Sequence, residues 1–426
     1  MPQFHSRLNP ATSEFEKNRE DMLALIERVQ TITARAAEKS ASSKPRFDKR
    51  GALLPRERLA RILDPGMPFL ELNNIGGFLV DTPDPEKSIP GCSVINGIGY
   101  ISGVRCMLSV DDSGINAGAM TTFSTHKSIR AMDIALEKKL PFVHLVESAG
   151  ANLLEYQVEM WMAGGGIFAR LARLSAAGVP TLVVLHGASA AGGAYMPGMS
   201  DYVIGIKGNG KAYLAGPALL KAATGEEADD ATLGGAEMHS KVSGLVEYLA
   251  EDDAHGLAIA RELVAQLDWN RHCPQPPGAA YEEPLYPAEE LVGLVPVDYR
   301  QPYDVREVVA RIVDASDFLD FKPAYGASLV CLQAKVYGMP VGIIGNNGPI
   351  DPDGATKCAQ FIQLCDQSGT PLLFLQNITG YMVGTQYEHA GMIKHGSKMI
   401  QAVTNTRVPR LTLMIGASFG AGNYGM

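Results

Sequence analysis

The sequence lacks several features that mark particular classes of protein. No apolar run reaches the roughly 18 residues that a transmembrane helix needs, so no membrane span is predicted. Lys and Arg number 37 against 46 Asp and Glu, and the resulting net charge of −9 argues against nucleic-acid binding through a basic surface. With 46% hydrophobic and only 19% charged residues, the 426-residue chain is too apolar for disorder to dominate.

Patterns of disulfide, metal and targeting sequences are also missing. None of the six cysteines forms a CxxC pair, and the nine histidines include no HExxH pattern, so we expect neither a zinc site nor a disulfide framework. Cys358 and Cys365, seven residues apart, are expected to be packing thiols on one helix face. The start of the chain has no apolar core typical of a secretory signal and contains acidic residues that transit peptides avoid. We therefore predict a cytoplasmic protein.

Motifs for phosphate binding and for a serine nucleophile are absent as well. No GxGxxG follows the first predicted strand, no Walker loop occurs, and neither Ser189 nor Ser418 lies in a GxSxG elbow. We interpret Ser189 as a turn hydroxyl. His144 and His186 fall within predicted buried strands, where we expect paired core histidines rather than metal ligands. The acidic run 226–230 is interpreted as a solvated helix start.

What the sequence contains is an alternation of helices and strands. Helical spacing of apolar residues predicts a helix from Ser13 to about Ala37, followed by a basic linker that ends near Arg50. Short apolar runs then predict further elements: helices over 54–63, 125–138 and 166–176, and strands over 69–72, 97–101, 105–110, 142–146 and 181–185. Apolar strands that alternate with helices predict a layered α/β fold with strands covered on both faces.

The most informative pattern is an internal repeat. Residues 179–195 read VPTLVVLHGASAAGGAY and residues 408–424 read VPRLTLMIGASFGAGNY, and they align without a gap at an offset of 229. Upstream, the segments 127–150 and 357–380 both run from a helix through a buried strand to a glycine turn, at an offset of 230. Two copies of one α/β domain are the natural interpretation.

The repeat and a cluster of prolines predict the domain boundaries. Seven prolines lie between Cys273 and Pro302, which is typical of an interdomain connection. We predict an N-terminal helix and linker over 1–50, a first domain over 51–270, a connection over 271–302 and a second domain over 303–426. The first copy continues well beyond Tyr195, whereas two residues follow Tyr424, so we expect the second domain to be incomplete at its C-terminus.

Each copy places a turn of small residues directly after a buried strand. If such a turn opens a helix, its first N–H groups have no partner within the helix and carry the positive end of the helix dipole. Without bulky side chains nearby, a ligand oxygen can approach these groups closely. The arrangement is then an oxyanion hole, which stabilises charge on a carbonyl oxygen by roughly 3–4 kcal/mol per donor. Two such turns suggest two carbonyl compounds that react with each other. The alternative is that the glycines only permit tight packing of helix on strand.

Several motifs together carry a resemblance to one family. They are RERLARILDPG (56–66), ESAGAN (147–152), AGGAY (191–195), LAGP (214–217), KAATG (221–225), LGGA (233–236) with His239 and Ser243–Gly244, QNITG (376–380) and FGAGNYGM (419–426). Together they resemble the carboxyltransferase (beta) subunits of biotin-dependent acyl-CoA carboxylases over nearly the whole chain. The motifs of the second copy look most like the methylcrotonyl-CoA and geranyl-CoA carboxylase branch.

The resemblance implies two tandem crotonase-like domains in an oligomer, often a hexamer, with an active site between the first domain of one subunit and the second domain of another. In that family CO2 moves from carboxybiotin to a carbon activated by a thioester, and the biotin ureido nitrogen takes the substrate proton. The implied donors are the N–H groups of Gly192 and Gly193 for the thioester enolate oxygen and those of Ala421 and Gly422 for the ureido oxygen, or the reverse. Further cofactor contacts are implied at Ala149, Gly150, Ala191, Phe419, Gly420 and Tyr424.

The resemblance also implies what other chains supply. Neither a Met-Lys-Met biotin-attachment tripeptide nor an ATP-binding glycine loop occurs, so we expect a biotin carboxylase and biotin carrier partner. Ala149 and the stretch Leu153 to Gly166 depart from the methylcrotonyl pattern on the acyl-CoA side, so 3-methylcrotonyl-CoA is a first guess that rests on the second domain. Two alternatives stay open. One is the carboxyltransferase of a glutaconyl-CoA-type decarboxylase, and the other is a non-catalytic crotonase-like assembly subunit.

Overall fold

The computed structural model of the protein describes residues 4–80, 82–151, 158–273 and 280–426. The chain divides into two compact units. Val29–Gln275 form one, here called the N-terminal unit, and Pro276–Met426 with Met1–Arg28 form the other, the C-terminal unit. The domain boundaries given above stay a prediction. Asn152, the first part of the stretch that begins at Leu153, and three of the seven clustered prolines lie outside the described residues.

The elements agree with the predicted alternation. The helices of the described residues are α1 (Ser13–Ala41), α2 (Lys44–Asp48), α3 (Pro55–Ile62), α4 (Thr122–Lys138), α5 (Val158–Ala176), α6 (Tyr195–Gly198), α7 (Pro217–Thr224), α8 (Asp230–Gly234), α9 (Ala236–Met238), α10 (Asp253–Gln266), α11 (Leu291–Leu294), α12 (Val305–Val309), α13 (Pro352–Ser368), α14 (Thr385–His389) and α15 (Met392–Asn405). The strands are β1 (Leu70–Leu72), β2 (Val94–Ile101), β3 (Val104–Asp111), β4 (Phe142–Ser148), β5 (Thr181–Ala190), β6 (Tyr202–Ile206), β7 (Lys211–Tyr213), β8 (Tyr248–Ala250), β9 (Phe318–Asp320), β10 (Leu329–Val336), β11 (Met339–Asn346), β12 (Leu372–Ile378) and β13 (Arg410–Ser418). None of the helices within the described ranges is long and apolar enough to cross a membrane.

The N-terminal unit is built on one large sheet. Its strand order is β1-β2-β3-β4-β5-β6-β8, with β7 beside the end of β5. Strands β1 to β3 pair antiparallel, and β3 to β6 and β8 pair parallel. Neighbouring residues of β4 enter different cores, Phe142 on the side of α4 and α5 and Val143 on the side of α3 and α10. Both faces are therefore buried, which explains why the predicted strands are continuously apolar rather than alternating.

The C-terminal unit repeats this plan. Its sheet has the order β13-β12-β11-β10-β9, in which β9, β10 and β11 pair antiparallel and β11, β12 and β13 pair parallel. Small irregularities recur as well. The register of β4 against β5 shifts between Val146 and Ser148, and that of β12 against β13 shifts between Gln376 and Ile378. The predicted α/β fold and its duplication are confirmed.

The structure also agrees with the predictions for the cysteine pair and the acidic run, and it adds a short helix in the basic linker. Cys358 and Cys365 are buried free thiols of α13, as predicted. The acidic run provides the cap of α8, because the Asp229 carboxylate accepts hydrogen bonds from the N–H groups at 231 and 232. The basic linker, however, contains the short helix α2, and its Phe47 is fully buried with the guanidinium of Arg50 5.0 Å from the ring centroid. A cation–π contact of this kind is compatible with burial of a basic segment.

Candidate active site

The first glycine turn begins where β5 ends. Ala191 has a φ of +53°, and a 3₁₀ helix over Ala191–Ala194 follows, continued by α6. A positive φ costs an alanine roughly 1–2 kcal/mol, because its Cβ crowds the backbone. Such strain persists only where surrounding structure imposes it, and it is concentrated at functional sites. The strained residue redirects the chain sharply from the strand into the turn.

The register of this 3₁₀ helix decides which N–H groups are free. Hydrogen bonds in a 3₁₀ helix join each N–H to the carbonyl three residues earlier. The N–H of Gly193 therefore faces the C=O of Ala190, whereas those of Ala191 and Gly192 have no acceptor within the helix. Ala191 is exposed, Gly192 is half-buried and Gly193 is buried. Of the two donors implied by the resemblance, Gly192 is the one that the turn leaves unpaired.

The second turn has the same construction. Gly420 has a φ of +58° and lies 229 residues after Ala191, and a 3₁₀ helix over Gly420–Tyr424 follows β13. The same register leaves the N–H groups of Gly420 and Ala421 without a helical acceptor, and it places that of Gly422 opposite the C=O of Phe419. A Cβ on Gly422 would lie 2.7 Å from Ile378 Cγ1, so only glycine fits there. Ala421 is exposed.

A further turn lies beside the first of these helices. Gly150 has a φ of +83°, and a Cβ there would lie 3.1 Å from the carbonyl oxygen of Ala190. The N–H of Ala149 donates to the C=O of Ala117 at 3.1 Å, and that of Gly150 donates to Ser148 Oγ at 3.1 Å. These N–H groups are thus engaged within the protein, and contact of both residues with a cofactor stays a prediction.

Exposed aromatic rings flank both turns. Tyr195 is 48% exposed and its ring meets that of Phe168 edge-on, with centroids 5.8 Å apart. At the second turn, Phe419 is 46% exposed and meets Tyr299 edge-on at 5.2 Å, and Tyr424 is 69% exposed. Aromatic faces beside free N–H groups offer an apolar surface and directed donors together, which suits a small organic ligand.

A buried ionic network lies beside β4 and β5. Arg58 is 1% exposed and donates to Glu147 Oε2 at 2.6 Å and to Asp253 Oδ2 at 2.9 Å. The second oxygen of Glu147 lies 2.7 Å from an Arg50 nitrogen, and that of Asp253 lies 2.7 Å from Nδ1 of His186. Glu147 stands near the end of β4, just before the turn at Ala149, so the network anchors the strand end that supports the site.

Burial and charge together set the protonation of this network. Burial by itself raises the pKa of Glu147, but the charges of Arg58 and Arg50 outweigh it, so the pKa lies below its ordinary value. For Asp253, burial is likewise outweighed by its hydrogen bond to His186 and by Arg58, and the pKa is strongly lowered. Burial, and then the charge of Arg58, lower the pKa of His186. The structure therefore favours two carboxylates and a neutral imidazole.

No sequence motif predicted this network as a unit. Arg58 and Glu147 occur in stretches that carry the family resemblance, but nothing in either stretch pairs them with Asp253. The sequence contains one signal of a buried ion pair, which is a charged residue, Glu147, at the end of a strand that the apolar pattern predicts to be buried. His144 and His186 are paired core histidines as expected, with Asp111 and Asp253 as their respective partners.

These pKa shifts predict how stability depends on pH. The pKa of His186 is lowered from 6.5 in the folded state, so below pH 6.5 the unfolded chain binds a proton that the folded chain does not. We expect the free energy of unfolding to fall by up to about 1.4 kcal/mol per pH unit as pH drops below that value. The carboxylates act in the same direction, because the stability from their lowered pKa values is present above 4.5 and is lost on further acidification.

Urea unfolding at a series of pH values measures this dependence. The matched variant is His186→Asn, whose amide can donate to the same Asp253 oxygen without titrating. We expect the slope between pH 6.5 and 4.5 to flatten in the variant. An unchanged slope would show that other groups cause it.

Comparisons with known proteins identify the family. The carboxyl transferase domain family matches residues 47–426. A Mycobacterium tuberculosis protein named probable biotin-dependent acyl-coenzyme A carboxylase beta2 subunit is 47% identical over 426 residues, covering 99% of this chain and 78% of that protein. The mitochondrial methylcrotonoyl-CoA carboxylase beta chain of Dictyostelium discoideum is 45% identical over 380 residues, covering 88% of this chain and 64% of that one.

A solved structure agrees with both relatives. The beta subunit of geranyl-CoA carboxylase from P. aeruginosa superimposes with a TM-score of 0.93 at 52% identity, covering 100% of this chain and 79% of that chain. The match confirms the predicted fold, and the names of all three proteins agree with the predicted enzyme class. The chain belongs to the carboxyl transferase domain family, as a carboxyltransferase of the biotin-dependent acyl-CoA carboxylase type.

Proposed function

We propose that this protein transfers a carboxyl group from biotin, held by a partner, to a branched enoyl-CoA, and that its two 3₁₀ turns hold the two reacting carbonyl oxygens. The observation that supports this most strongly is the exact correspondence of the turns. Each has a residue with φ near +55° at its entry and an unpaired N–H on the next residue, Gly192 in one and Ala421 in the other. A packing role alone would not require free donors at equivalent positions of both copies.

The residues around the turns fit such ligands. Donors at a helix start stabilise developing oxyanions because they are already oriented and need no reorganisation as charge appears. Gly192 and Gly193 are proposed for the thioester oxygen, with the unpaired N–H of Gly192 as the donor and with Ala149, Gly150 and Ala191 beside it. Ala421 and Gly422 are proposed for the ureido oxygen of biotin, with the unpaired N–H of Ala421 as the donor and with Phe419, Gly420 and Tyr424 beside it.

The chemistry divides between this chain and its cofactor. Bound biotin supplies the carboxyl group and a nitrogen that can take the substrate proton. The residues of this chain then have to bind, orient and stabilise charge. Stabilisation that is stronger for the enolate than for the neutral thioester lowers the barrier, because only such differential binding accelerates a reaction. This explains how the backbone N–H groups suffice without a catalytic side-chain base.

The acyl group is the finer part of the proposal. We take 3-methylcrotonyl-CoA as the first candidate, because the motifs of the second copy resemble that branch. Geranyl-CoA is the second candidate, because the beta subunit of a geranyl-CoA carboxylase is 52% identical to this chain.

Partners are part of the same proposal. Enzymes of this class work with biotin-carrying partners, and we propose a biotin carboxylase and biotin carrier subunit here. We also propose a hexamer of this chain, with each active site formed by the first domain of one subunit and the second domain of another. A cytoplasmic location is proposed, because none of the six cysteines, all within the described residues, is in a disulfide.

The test combines this protein with a biotin carboxylase and biotin carrier subunit, ATP and labelled bicarbonate. Carboxylated product is measured by mass spectrometry with 3-methylcrotonyl-CoA, geranyl-CoA or propionyl-CoA as acceptor. We expect a branched enoyl-CoA to be carboxylated at a kcat/KM at least about tenfold above that of propionyl-CoA, since each misfitting group costs about 1–3 kcal/mol. If no acyl-CoA is carboxylated although the carrier is loaded, the proposal is wrong.

A further inference from the structure

A small cavity lies directly beneath the first turn, inside the N-terminal unit. Its volume is about 30 Å³, which is room for about one or two water molecules. The lining reaches the turn itself at Gly193 and mixes apolar side chains, such as Met132 and Ile167, with polar ones, such as Ser109 and Ser189. A buried water needs two to four polar partners, and the polar part of this lining can offer them.

One hydroxyl on this cavity has no partner in the protein. Ser189 is fully buried, and its Oγ makes no hydrogen bond to any of the described residues. The same atom lies 3.1 Å from the position that a Cβ on Gly193 would occupy, so it points at the underside of the turn. A buried hydroxyl without a partner loses its hydration and gains nothing in return. The position therefore requires a partner that is not a protein side chain.

In the second copy the equivalent serine forms hydrogen bonds with side chains. Ser418 is equivalent to Ser189, at the offset of 229. Its Oγ donates to Gln376 Oε1 at 3.0 Å and accepts from Asn423 Nδ2 at 3.4 Å. Asn423 belongs to the 3₁₀ turn, so Ser418 ties the turn to the strand beneath it.

The first copy has lost both of these side chains. The residue equivalent to Gln376 is Val146, and the residue equivalent to Asn423 is Ala194. Neither can hydrogen-bond through its side chain. In their place the first copy has the small cavity, so Ser189 faces a water-sized space instead of an amide.

We propose that this cavity is a water site, and that Ser189 is a positioning residue that supports the turn at Gly192 and Gly193 through the bound water. Ser418 supports the second turn directly, through Gln376 and Asn423. The inference rests on the proposed function of the two turns as oxyanion holes. It adds that each turn is held in its donating orientation by the equivalent serine. Ser189 does this through a bound water, and Ser418 does it through the side chains of Gln376 and Asn423.

The test is Ser189→Ala, assayed in the assembled carboxylase. We expect kcat to fall about 10- to 100-fold, because small misplacements of catalytic groups have effects of this size. The KM for acyl-CoA should stay within about twofold, since the turn matters most when charge develops on the oxygen. The urea midpoint should not fall, because the variant removes a hydroxyl without a protein partner. Ser42→Ala, which removes an exposed hydroxyl bonded to the C=O of Lys39, is the control and should match the wild type, because neither residue lines the cavity.

A crystal structure of the full chain gives an independent readout. We expect an ordered water within hydrogen-bond distance of Ser189 Oγ in the wild type and its loss or displacement in Ser189→Ala. A dry cavity, or a variant with unchanged kcat, would overturn the inference. If the wild type carboxylates no acyl-CoA, the proposed function fails instead, and the crystallographic water still decides whether this site exists.

Discussion

Replacement of Ala421 by proline is expected to reduce carboxyl transfer by about 10²- to 10³-fold, the loss measured when one donor is removed from an oxyanion hole. Proline has no N–H, and its φ near −65° suits the second residue of a 3₁₀ helix. The N–H at this position has no acceptor within the helix, so no internal hydrogen bond is lost. Gly420, which precedes it, has no Cβ to clash with the proline ring, so the remaining close approach is that of the ring to the Gly420 N–H. The variant removes the proposed donor, and its thermal midpoint shows whether the fold is kept.

Ala421→Gly is the matched control, because it keeps the N–H and changes the side chain by one methyl group. We expect it to retain activity within a few-fold, with the thermal midpoints of both variants close to that of the wild type. Activity is measured in the assembled carboxylase with the preferred acyl-CoA. If the proline and glycine variants are equally active, the N–H of Ala421 is not a catalytic donor.

Replacement of Arg58 by methionine is expected to lower the free energy of unfolding by about 3–5 kcal/mol, the usual cost of removing one partner from a buried ion pair. The side chain is 1% exposed and bonds to two carboxylates, those of Glu147 and Asp253. Methionine fills much of the space but leaves both carboxylates buried without their shared guanidinium, although Arg50, His186 and the N–H of Leu53 still contact them. We expect the loss to appear as a lower urea midpoint with little change in slope.

Lys207→Met gives the comparison for this variant. Lys207 pairs with Glu251, but the two side chains are 37% and 66% exposed, so we expect a change within about 1 kcal/mol. Equal losses in the two variants would show that the buried network is not a source of stability. The free energy of unfolding of Arg58→Met could also fall by less than about 3 kcal/mol and only near pH 7. That result would indicate that Asp253 becomes protonated in the folded variant once its partner is removed.

Much of the architecture could be predicted from local patterns. Continuous apolar runs predicted β4 and β5 as buried strands, and the repeat at offsets of 229 and 230 predicted the duplicated fold. Helix periodicity and glycine turns are both properties of short segments. The first follows from the spacing of apolar residues and the second from steric limits on the backbone, and both act within a few residues. The position of the two turns after equivalent strands followed from the same information.

Equivalent sequences nevertheless reached different environments. β5 lies between β4 and β6 and is buried along most of its length, whereas β13, among the described strands, pairs with β12 alone and leaves Leu411 and Met414 more than 70% exposed. The apolar patterns of the two strands are similar, although Thr412 and Ile415 lie in β13 where β5 has a valine and a histidine. Burial depends on which neighbours are present in space, and a strand's own sequence does not encode that.

The sequence by itself determined the α/β class, the duplication and the pair of small-residue turns, because local conformational preference is set within each segment. Only the tertiary structure decided which N–H groups of those turns are free, which charges meet beside β4 and β5, and why Ser189 and Ser418 differ. Arg58, Glu147 and Asp253 are far apart along the chain, and their pairing results from three separate elements packing on one sheet. Contacts of that kind depend on the whole fold, since each partner gains its energy only when all the others are in place.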